Sequence, residues 1–227
     1  MYNDSQNYMI YHEDYCRQMR IMMNKQALIM VDLQNDFCQG GQLAVPGGDE
    51  VVPIANQLQK KFALIVATQD WHPSYHTSFA SNHAAKKTGE IVQVQGLSQI
   101  LWPNHCVQNT KGAEFHPQLE LNKVNQIFHK GIDKNIDSYS AFFDNAHKRT
   151  TGLGDYLQKR EVKDVYIMGL ATDYCVKYST LDALKLGFNV FVIEDACRGV
   201  NLQADDSLQA IDEMRHAGAK IIRAKDV

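Results

Sequence analysis

The sequence predicts an α/β fold, a doubly wound six-stranded parallel sheet with helices on both faces. Two observations lead to this prediction. Short apolar runs rich in β-branched residues alternate with segments of helical periodicity, which is the order of successive βαβ units. The apolar runs are also continuous rather than alternating, as expected for strands that are buried on both faces of a parallel sheet. The strands and helices follow from residue 26 onward.

Six apolar runs are the predicted strands, and chemically distinctive residues follow most of them. The runs cover residues 27–31, 63–68, 126–129, 164–168, 189–193 and 219–223. The first ends at Asp32, the second at Asp70 and the third at Lys130. The fourth runs into Gly169, Leu170 and Ala171.

Four segments between these strands have helical periodicity, over residues 49–61, 153–160, 173–186 and 203–217. Asp49, which follows two glycines, is the expected N-cap of the first helix. Gly187 and Gly218 follow the last two helices, as C-terminal glycines commonly do. The helices therefore fill the connections between the predicted strands.

Two segments do not fit this alternation. Residues 1–22 are polar and tyrosine-rich without a period, and we expect a poorly ordered N-terminal extension before a single domain over 23–227. Residues 71–125 hold three of the five prolines and five of the nine histidines. Segments of that length between elements are usually functional, so we expect an insertion that covers the active site and binds a metal.

Composition excludes several classes of protein. A net charge of -3 argues against a nucleic-acid partner bound through bulk charge. The apolar runs are far shorter than the roughly 20 residues of a membrane span, which argues against a membrane partner. Five cysteines, an odd number without a CxxC spacing, indicate free thiols in a reducing compartment, and hence a cytoplasmic protein. The choice between monomer and homo-oligomer stays open.

The carboxyl ends of parallel strands meet at one edge of the sheet, where ligands bind in open α/β folds. Asp32, Asp70, Lys130 and Cys175 should therefore converge. Each alone has an ordinary structural explanation, but together they supply a base, a cation and a thiol. Lys130 and a helix start would favour the Cys175 thiolate, and Asp32 could carry its proton. Backbone N–H groups of the 170–175 turn could bind an oxyanion.

A metal site is also predicted. Asp70 and His72 are two residues apart on an extended segment, so both side chains point the same way. A third ligand would come from the insertion, where the candidates are His76, His83, His105 and His116. One carboxylate and two imidazoles suit a catalytic divalent metal with open positions.

Six segments together resemble the nicotinamidases, a branch of the isochorismatase-like cysteine hydrolases. They are DLQNDFCQGG (32–41), TQDWHP (68–73), WPNHCV (102–107), GAEFHP (112–117), HKGIDKNIDSYSAF (129–142) and GLATDYCV (169–176). The resemblance extends from about residue 27 to residue 227. It implies the same Rossmann-like fold and hydrolysis of nicotinamide to nicotinate and ammonia in NAD salvage, with pyrazinamide as a further substrate.

The resemblance also implies roles for individual residues. The catalytic triad would be Asp32, Lys130 and Cys175, acting through a thioester. The ligands of one divalent metal, zinc or iron with manganese as a further option, would be Asp70, His72 and His105, with His76 ranked next. A cis peptide at Leu170–Ala171 would aim the amides of Ala171 and Cys175 as an oxyanion hole. The aromatic residues of the ring pocket would be Phe37, Trp102 and Tyr139, for which core packing is the alternative.

Three other functions would account for part of this pattern. A cysteine amidohydrolase of the same family acting on a carbamoyl or ureido compound would share the triad but generally lack the Asp70, His72 and His105 set. An isochorismatase proper would not use a cysteine nucleophile. A non-catalytic scaffold or thiol-based sensor would reuse the fold without the reaction.

Overall fold

The structure is a computed structural model that describes residues 25–227. Within that range the chain forms eight strands, six of them in one parallel sheet of order β5-β2-β1-β6-β7-β8. The predicted extension over 1–22 lies outside the described residues. The strands are β1 Gln26–Val31, β2 Ile65–Asp70, β3 Ile91–Val94, β4 Leu97–Ile100, β5 Gln126–Lys130, β6 Asp164–Leu170, β7 Asn189–Arg198 and β8 Lys220–Ile222.

Four α-helices lie between the strands of the large sheet, close to the predicted positions. They are α1 Val51–Leu58, α2 Leu153–Gln158, α3 Lys177–Lys185 and α4 Asp206–His216. Two 3₁₀ turns, Gly48–Glu50 and Gln59–Lys61, extend α1 to the predicted length. The expected N-cap is wrong, because Asp49 lies within the first of these turns and its carboxylate accepts the N–H of Gln39 instead.

The sheet is doubly wound, as predicted. From β1 the chain proceeds to β2 and β5 on one side, then returns to β6 beside β1 and continues to β7 and β8 on the other side. Because such crossovers are right-handed, the reversal puts α1 and α3 on opposite faces of the sheet. A crevice therefore opens between the carboxyl ends of β1 and β6, the position where open α/β folds bind ligands.

Burial explains why the central strands could be recognised in the sequence. Ala27 to Val31 are completely buried in β1, which pairs with β2 and β6. A strand covered on both faces needs apolar side chains in both directions, and so appears as an unbroken apolar run. The edge strand β5 is largely exposed, with Ile127 at 36%.

Two features differ from the prediction. Strand β7 continues to Arg198 rather than ending near residue 193, because its pairing with β6 shifts register after Val192, so that Gly169 pairs with Cys197. The 71–125 segment contains the antiparallel hairpin β3–β4, which the sequence analysis missed. Its turn is Gln95-Gly96 with positive φ at both residues, a conformation more typical of Asn-Gly.

Across residues 25–227, every helix is too short or too polar to cross a lipid bilayer.

Candidate active site

The predicted residues at the strand ends do meet in the crevice. Asp32 follows β1, Asp70 is the last residue of β2, and Lys130 is the last residue of β5. Cys175 lies in a π-helical turn, Thr172–Val176, between β6 and α3. All four side chains are buried. Four ionisable groups from four strand connections are thus enclosed at one point of the sheet edge.

Lys130 lies at the centre of this cluster. Its Nζ is 2.9 Å from Asp32 Oδ2 and 3.0 Å from Asp70 Oδ1. It also donates to the carbonyl oxygen of Ser138 at 3.0 Å and to Cys175 Sγ at 3.4 Å. Burial alone would lower the pKa of Lys130, but the two carboxylates hold it well above the ordinary value. The ammonium is therefore a fixed positive charge beside the thiol.

The two carboxylate oxygens of Asp32 differ in their hydrogen bonds within the described chain: Oδ1 accepts one from a neighbouring side chain and Oδ2 does not. The hydroxyl of Thr68 donates to Oδ1 at 2.6 Å. Oδ2 is paired with the Lys130 ammonium but receives no well-directed hydrogen bond from residues 25–227. Burial raises the pKa of Asp32 above its ordinary value, and Lys130 opposes that shift. Oδ2 therefore keeps a lone pair that can accept a proton.

The surroundings of Cys175 disfavour the expected thiolate. Burial raises the pKa of Cys175 well above its ordinary value, and Lys130 only opposes this shift while Asp32 adds to it. With the thiolate disfavoured, the thiol proton has to be removed as the sulfur attacks. Asp32 is the neighbouring carboxylate that can accept it.

The other described thiols are also buried, so burial does not distinguish Cys175. Burial raises the pKa of Cys38 and of Cys197 to about 12, and that of Cys106 well above its ordinary value. Of the four thiols in residues 25–227, only Cys175 combines a direct contact to the Lys130 ammonium with a place in the pocket lining. It is therefore the thiol that geometry favours as a nucleophile.

The turn before α3 has the predicted cis peptide bond between Leu170 and Ala171. The carbonyl oxygen of Ala171 accepts the N–H groups of Tyr174 and Val176, so the π-helical turn folds back on residue 171. Ala171 and Cys175 consequently lie together in the wall of one pocket. Their proposed role as an oxyanion hole agrees with this position.

Asp70, His72 and His105 form a compact set whose ligand atoms lie within 4.8 Å of one another. Asp70 Oδ2 is 3.0 Å from His72 Nε2 and 3.4 Å from His105 Nε2. Each imidazole has its Nδ1 within hydrogen-bond distance of a backbone carbonyl, that of Gly131 at 2.9 Å and that of Pro103 at 2.8 Å. Such partners fix the tautomer that leaves Nε2 for a metal, so the residues fit a divalent cation.

The electrostatics of Asp70 agree with a ligand role. Burial alone would raise its pKa, but His72 and Lys130 hold the pKa well below the usual range. Asp70 is thus ionised, with Oδ1 on the Lys130 ammonium and Oδ2 towards the two histidines. It links the thiol cluster to the candidate metal site.

The remaining histidine candidates differ in their distance from the candidate metal site. His76 lies beside His72 and Asp137, with ligand atoms of all three within 4.8 Å, and its buried Nε2 has no hydrogen-bond partner in the described chain. Burial and the charge of His72 lower the pKa of His76 to about 4. His83 instead contacts the Thr77 carbonyl oxygen, and His116 lies beside Asp49.

Phe37, Trp102 and Tyr139 line the same pocket as Cys175, together with Asp70 and His105. Tyr139 Oη accepts hydrogen bonds from Trp102 Nε1 at 3.1 Å and from Gln99 Nε2 at 3.2 Å. These three aromatic residues therefore form a pocket wall and are not only core packing. The sequence analysis missed further lining residues, namely Leu43, Asp137, Tyr174 and Val200.

Three residues that the sequence analysis missed hold the site in shape. Gln34 donates to the Asp70 carbonyl and accepts the Asp70 N–H, both at 2.8 Å. Asp36 accepts the N–H of Cys106 at 2.7 Å, which ties the loop after β1 to the residue following His105. A Cβ on Gly131 would lie 2.3 Å from a ring carbon of His72. In the sequence, the signal that points to these three residues is their position within the motifs that resemble the nicotinamidases.

Comparison with known proteins gives consistent matches. Residues 26–226 match the isochorismatase domain family. A nicotinamidase of Escherichia coli strain K12 is 50% identical over 208 residues, covering 90% of this chain and 97% of the relative. The solved structure of an Acinetobacter baumannii nicotinamidase and pyrazinamidase has a TM-score of 0.87 at 46% identity, and covers 89% of this chain and 98% of its own. The Pyrococcus horikoshii pyrazinamidase in complex with zinc has a TM-score of 0.72 at 40% identity, with 88% and 99% covered.

Proposed function

Since the chain belongs to the isochorismatase family, we propose that it is an amidohydrolase that converts nicotinamide to nicotinate and ammonia through a thioester on Cys175. One observation carries the proposal. Cys175 lines a pocket together with Asp70 and His105, and its thiol contacts the Lys130 ammonium, which pairs with Asp32. The nicotinamidases similar to this chain extend over 90% of its length, which supports the choice of substrate.

The first half of the reaction uses Asp32 and Cys175. Asp32 takes the thiol proton as Sγ attacks the carboxamide carbon, and the Lys130 ammonium stabilises the developing negative charge on sulfur. The amides of Ala171 and Cys175 bind the oxyanion of the tetrahedral intermediate. The carbon–nitrogen bond then breaks, and Asp32 returns its proton to the leaving nitrogen, which departs as ammonia.

The second half hydrolyses the thioester. Asp32, ionised again, takes a proton from water, and the hydroxide equivalent adds to the acyl carbon. Collapse of that intermediate breaks the carbon–sulfur bond and releases nicotinate, and the proton on Asp32 returns to Cys175. Phe37, Trp102 and Tyr139 hold the ring during both halves and exclude bulk water from the reacting carbon.

Asp70, His72 and His105 would hold one divalent metal, with zinc and iron favoured over manganese. Such a cation supplies a Lewis-acid position for the pyridine nitrogen of the substrate. A pyrazinamidase in complex with zinc is among the similar structures, which supports a metal of this kind. His76 is the next candidate, since its Nε2 is buried without a partner among the described residues.

Three extensions belong to the same proposal. Pyrazinamide, which has the same shape and a ring nitrogen in the corresponding place, is a second substrate. The reaction serves NAD salvage. The enzyme works in the cytoplasm, where Cys175 stays reduced.

The test measures ammonia release from nicotinamide by the wild type, by Cys175→Ala and by Cys197→Ala as the matched control, a buried thiol outside the pocket. We expect activity in the wild type and in Cys197→Ala, and none in Cys175→Ala. Intact-mass analysis during turnover should show a nicotinoyl adduct that Cys175→Ala lacks. Undiminished ammonia release by Cys175→Ala would overturn the proposal.

The rival substrate class can be tested in the same assay. A carbamoyl or ureido compound should release no ammonia above the buffer rate. A higher kcat/KM for such a compound than for nicotinamide would move the assignment to that branch of the family.

A further inference from the structure

A second group of metal-binding side chains lies outside the active pocket. Cys38, Asp49 and His116 bring a sulfur, a carboxylate oxygen and an imidazole nitrogen within 4.8 Å of one another. They come from three separate segments, namely the loop after β1, the 3₁₀ turn before α1, and the chain that follows the 3₁₀ turn Lys111–Ala113. Together they line a surface cavity of about 400 Å³.

This cavity is separate from the active pocket. The residues that line it and the residues that line the pocket around Cys175 have no member in common. The proposed reaction assigns no role to Cys38, Asp49 or His116. Their convergence therefore needs an explanation of its own.

The Asp49 side chain and the backbones of His116 and Cys38 are held in place by hydrogen bonds before any ligand binds. Asp49 Oδ2 accepts the N–H of Gln39 at 2.8 Å, which leaves Oδ1 facing His116 Nε2 at 3.3 Å. The N–H of His116 donates to the carbonyl oxygen of Leu33 at 2.9 Å, which anchors this residue to the end of β1. The side chain of Cys38 is a buried free thiol, and its backbone N–H donates to the carbonyl oxygen of Asn35 at 3.1 Å.

The donor set selects the kind of ligand. Cysteine sulfur, imidazole nitrogen and one carboxylate oxygen form the combination that binds zinc and similar borderline ions, whereas magnesium and calcium prefer oxygen alone. The Asp49 side chain is 41% exposed, so the group is accessible to an ion from solvent. We propose that Cys38, Asp49 and His116 form a second divalent-cation site of the zinc type.

The contacts of His116 predict that this second site binds a divalent cation more weakly than the Asp70, His72 and His105 set. His116 Nδ1 accepts the N–H of Gln118 at 3.2 Å, so Nε2 carries the proton of the neutral ring. A cation at Nε2 moves that proton to Nδ1 and breaks the hydrogen bond from Gln118. In the first set both Nδ1 atoms face carbonyl oxygens, and binding has no such cost.

A bound cation would join two walls of the substrate pocket. Cys38 follows Phe37, which lines the pocket, and His116 belongs to the same 71–125 segment as Trp102 and His105. Asp36 already links these walls through the N–H of Cys106. The ion would add a reversible second link, which stabilises the loop after β1 without contacting substrate.

Cobalt titration can test the site, because a thiolate bound to Co²⁺ gives a charge-transfer band that nitrogen and oxygen ligands do not give. The Asp70, His72 and His105 set contains no sulfur, so the band reports the second site. Co²⁺ is added to the purified protein with its own metal in place, and the spectrum is recorded without substrate. The matched control is Cys175→Ala, which removes the one thiol that lines the active pocket among residues 25–227.

We expect one equivalent of the band in the wild type and in Cys175→Ala, and none in Cys38→Ser. His116→Ala should weaken Co²⁺ binding at least tenfold. Because the His116 side chain is partly exposed, this variant tests the same site if Cys38→Ser fails to fold. Absence of the band in the wild type, its survival in Cys38→Ser, full-strength binding by His116→Ala or its loss in Cys175→Ala would each overturn the proposal. None of these readouts depends on nicotinamide turnover.

Discussion

Replacing Asp32 by asparagine separates proton transfer from packing. The hydroxyl of Thr68 donates to Oδ1 at 2.6 Å, so that position remains an oxygen in the amide. The NH₂ group therefore takes the place of Oδ2, 2.9 Å from the ammonium of Lys130. The variant keeps the shape of the side chain but loses the proton acceptor. Its NH₂ group faces the Lys130 ammonium, so two hydrogen-bond donors point at each other.

The size of the effect follows from these contacts. Loss of a general base costs about 10²- to 10⁴-fold in rate, or roughly 3–5 kcal/mol of barrier. We expect the upper part of this range, because Asp32 acts in both halves of the reaction. Removing one partner from a buried ion pair costs about 3–5 kcal/mol of stability, and the lower value applies because Asp70 still pairs with Lys130.

The assay combines kcat for ammonia release with metal content and thermal unfolding. Asp32→Asn should retain the metal of wild type, because Asp32 does not belong to the Asp70, His72 and His105 set. Thr68→Val is the control, since it removes the 2.6 Å hydrogen bond but leaves the carboxylate, and kcat should fall tenfold at most. If Asp32→Asn kept more than a tenth of wild-type kcat, the role of Asp32 as base would be refuted.

Four further outcomes are expected. Gly131→Ala should lower metal affinity at least tenfold in a competition assay, because its Cβ would lie 2.3 Å from the imidazole of His72, a proposed metal ligand; Gly152→Ala, also at positive φ but with open space around it, should bind metal normally. Tyr139→Phe should raise KM severalfold and leave kcat nearly unchanged, since it removes the oxygen that accepts from Trp102 but no reacting group; an unchanged KM would contradict that role. Dialysis against a chelator should abolish ammonia release, and added zinc or iron should restore it, whereas a fully active metal-free protein would exclude the metal site. The profile of kcat/KM against pH should fall on the acid side as Asp32 takes up a proton, at a pH above the ordinary range of an aspartate because burial raises its pKa; an acid limb in the ordinary range would contradict this.

Local sequence patterns predicted the strands that are buried evenly along their length. β1 and β2 are buried along almost their whole length, and this was evident as unbroken apolar runs. The hairpin β3–β4 is half exposed, its turn has an unusual sequence, and it was missed. The length of β7 was also missed, because β7 continues past Ile193 through a shift of its register against β6.

In the candidate site, too, some positions followed from local sequence patterns and others did not. Asp32, Asp70 and Lys130 follow strands in the sequence, and the rule that parallel strands end at one edge was enough to bring them together. The positions of His105, Phe37 and Trp102 came from resemblance, because no local pattern states where a residue of a long insertion or loop will lie. The structure puts these residues at one pocket, and their roles there stay predictions.

By itself the sequence determined the doubly wound sheet and the residues at its carboxyl edge, because hydrophobic periodicity and strand order are properties of the chain. Only the tertiary structure decided the direction in which the pKa of Cys175 is shifted, since burial depends on everything that surrounds the thiol and here outweighs the charge of Lys130. It alone also brought Cys38, Asp49 and His116 together. Contacts between segments that are distant in sequence depend on how loops pack, and no local pattern encodes that packing.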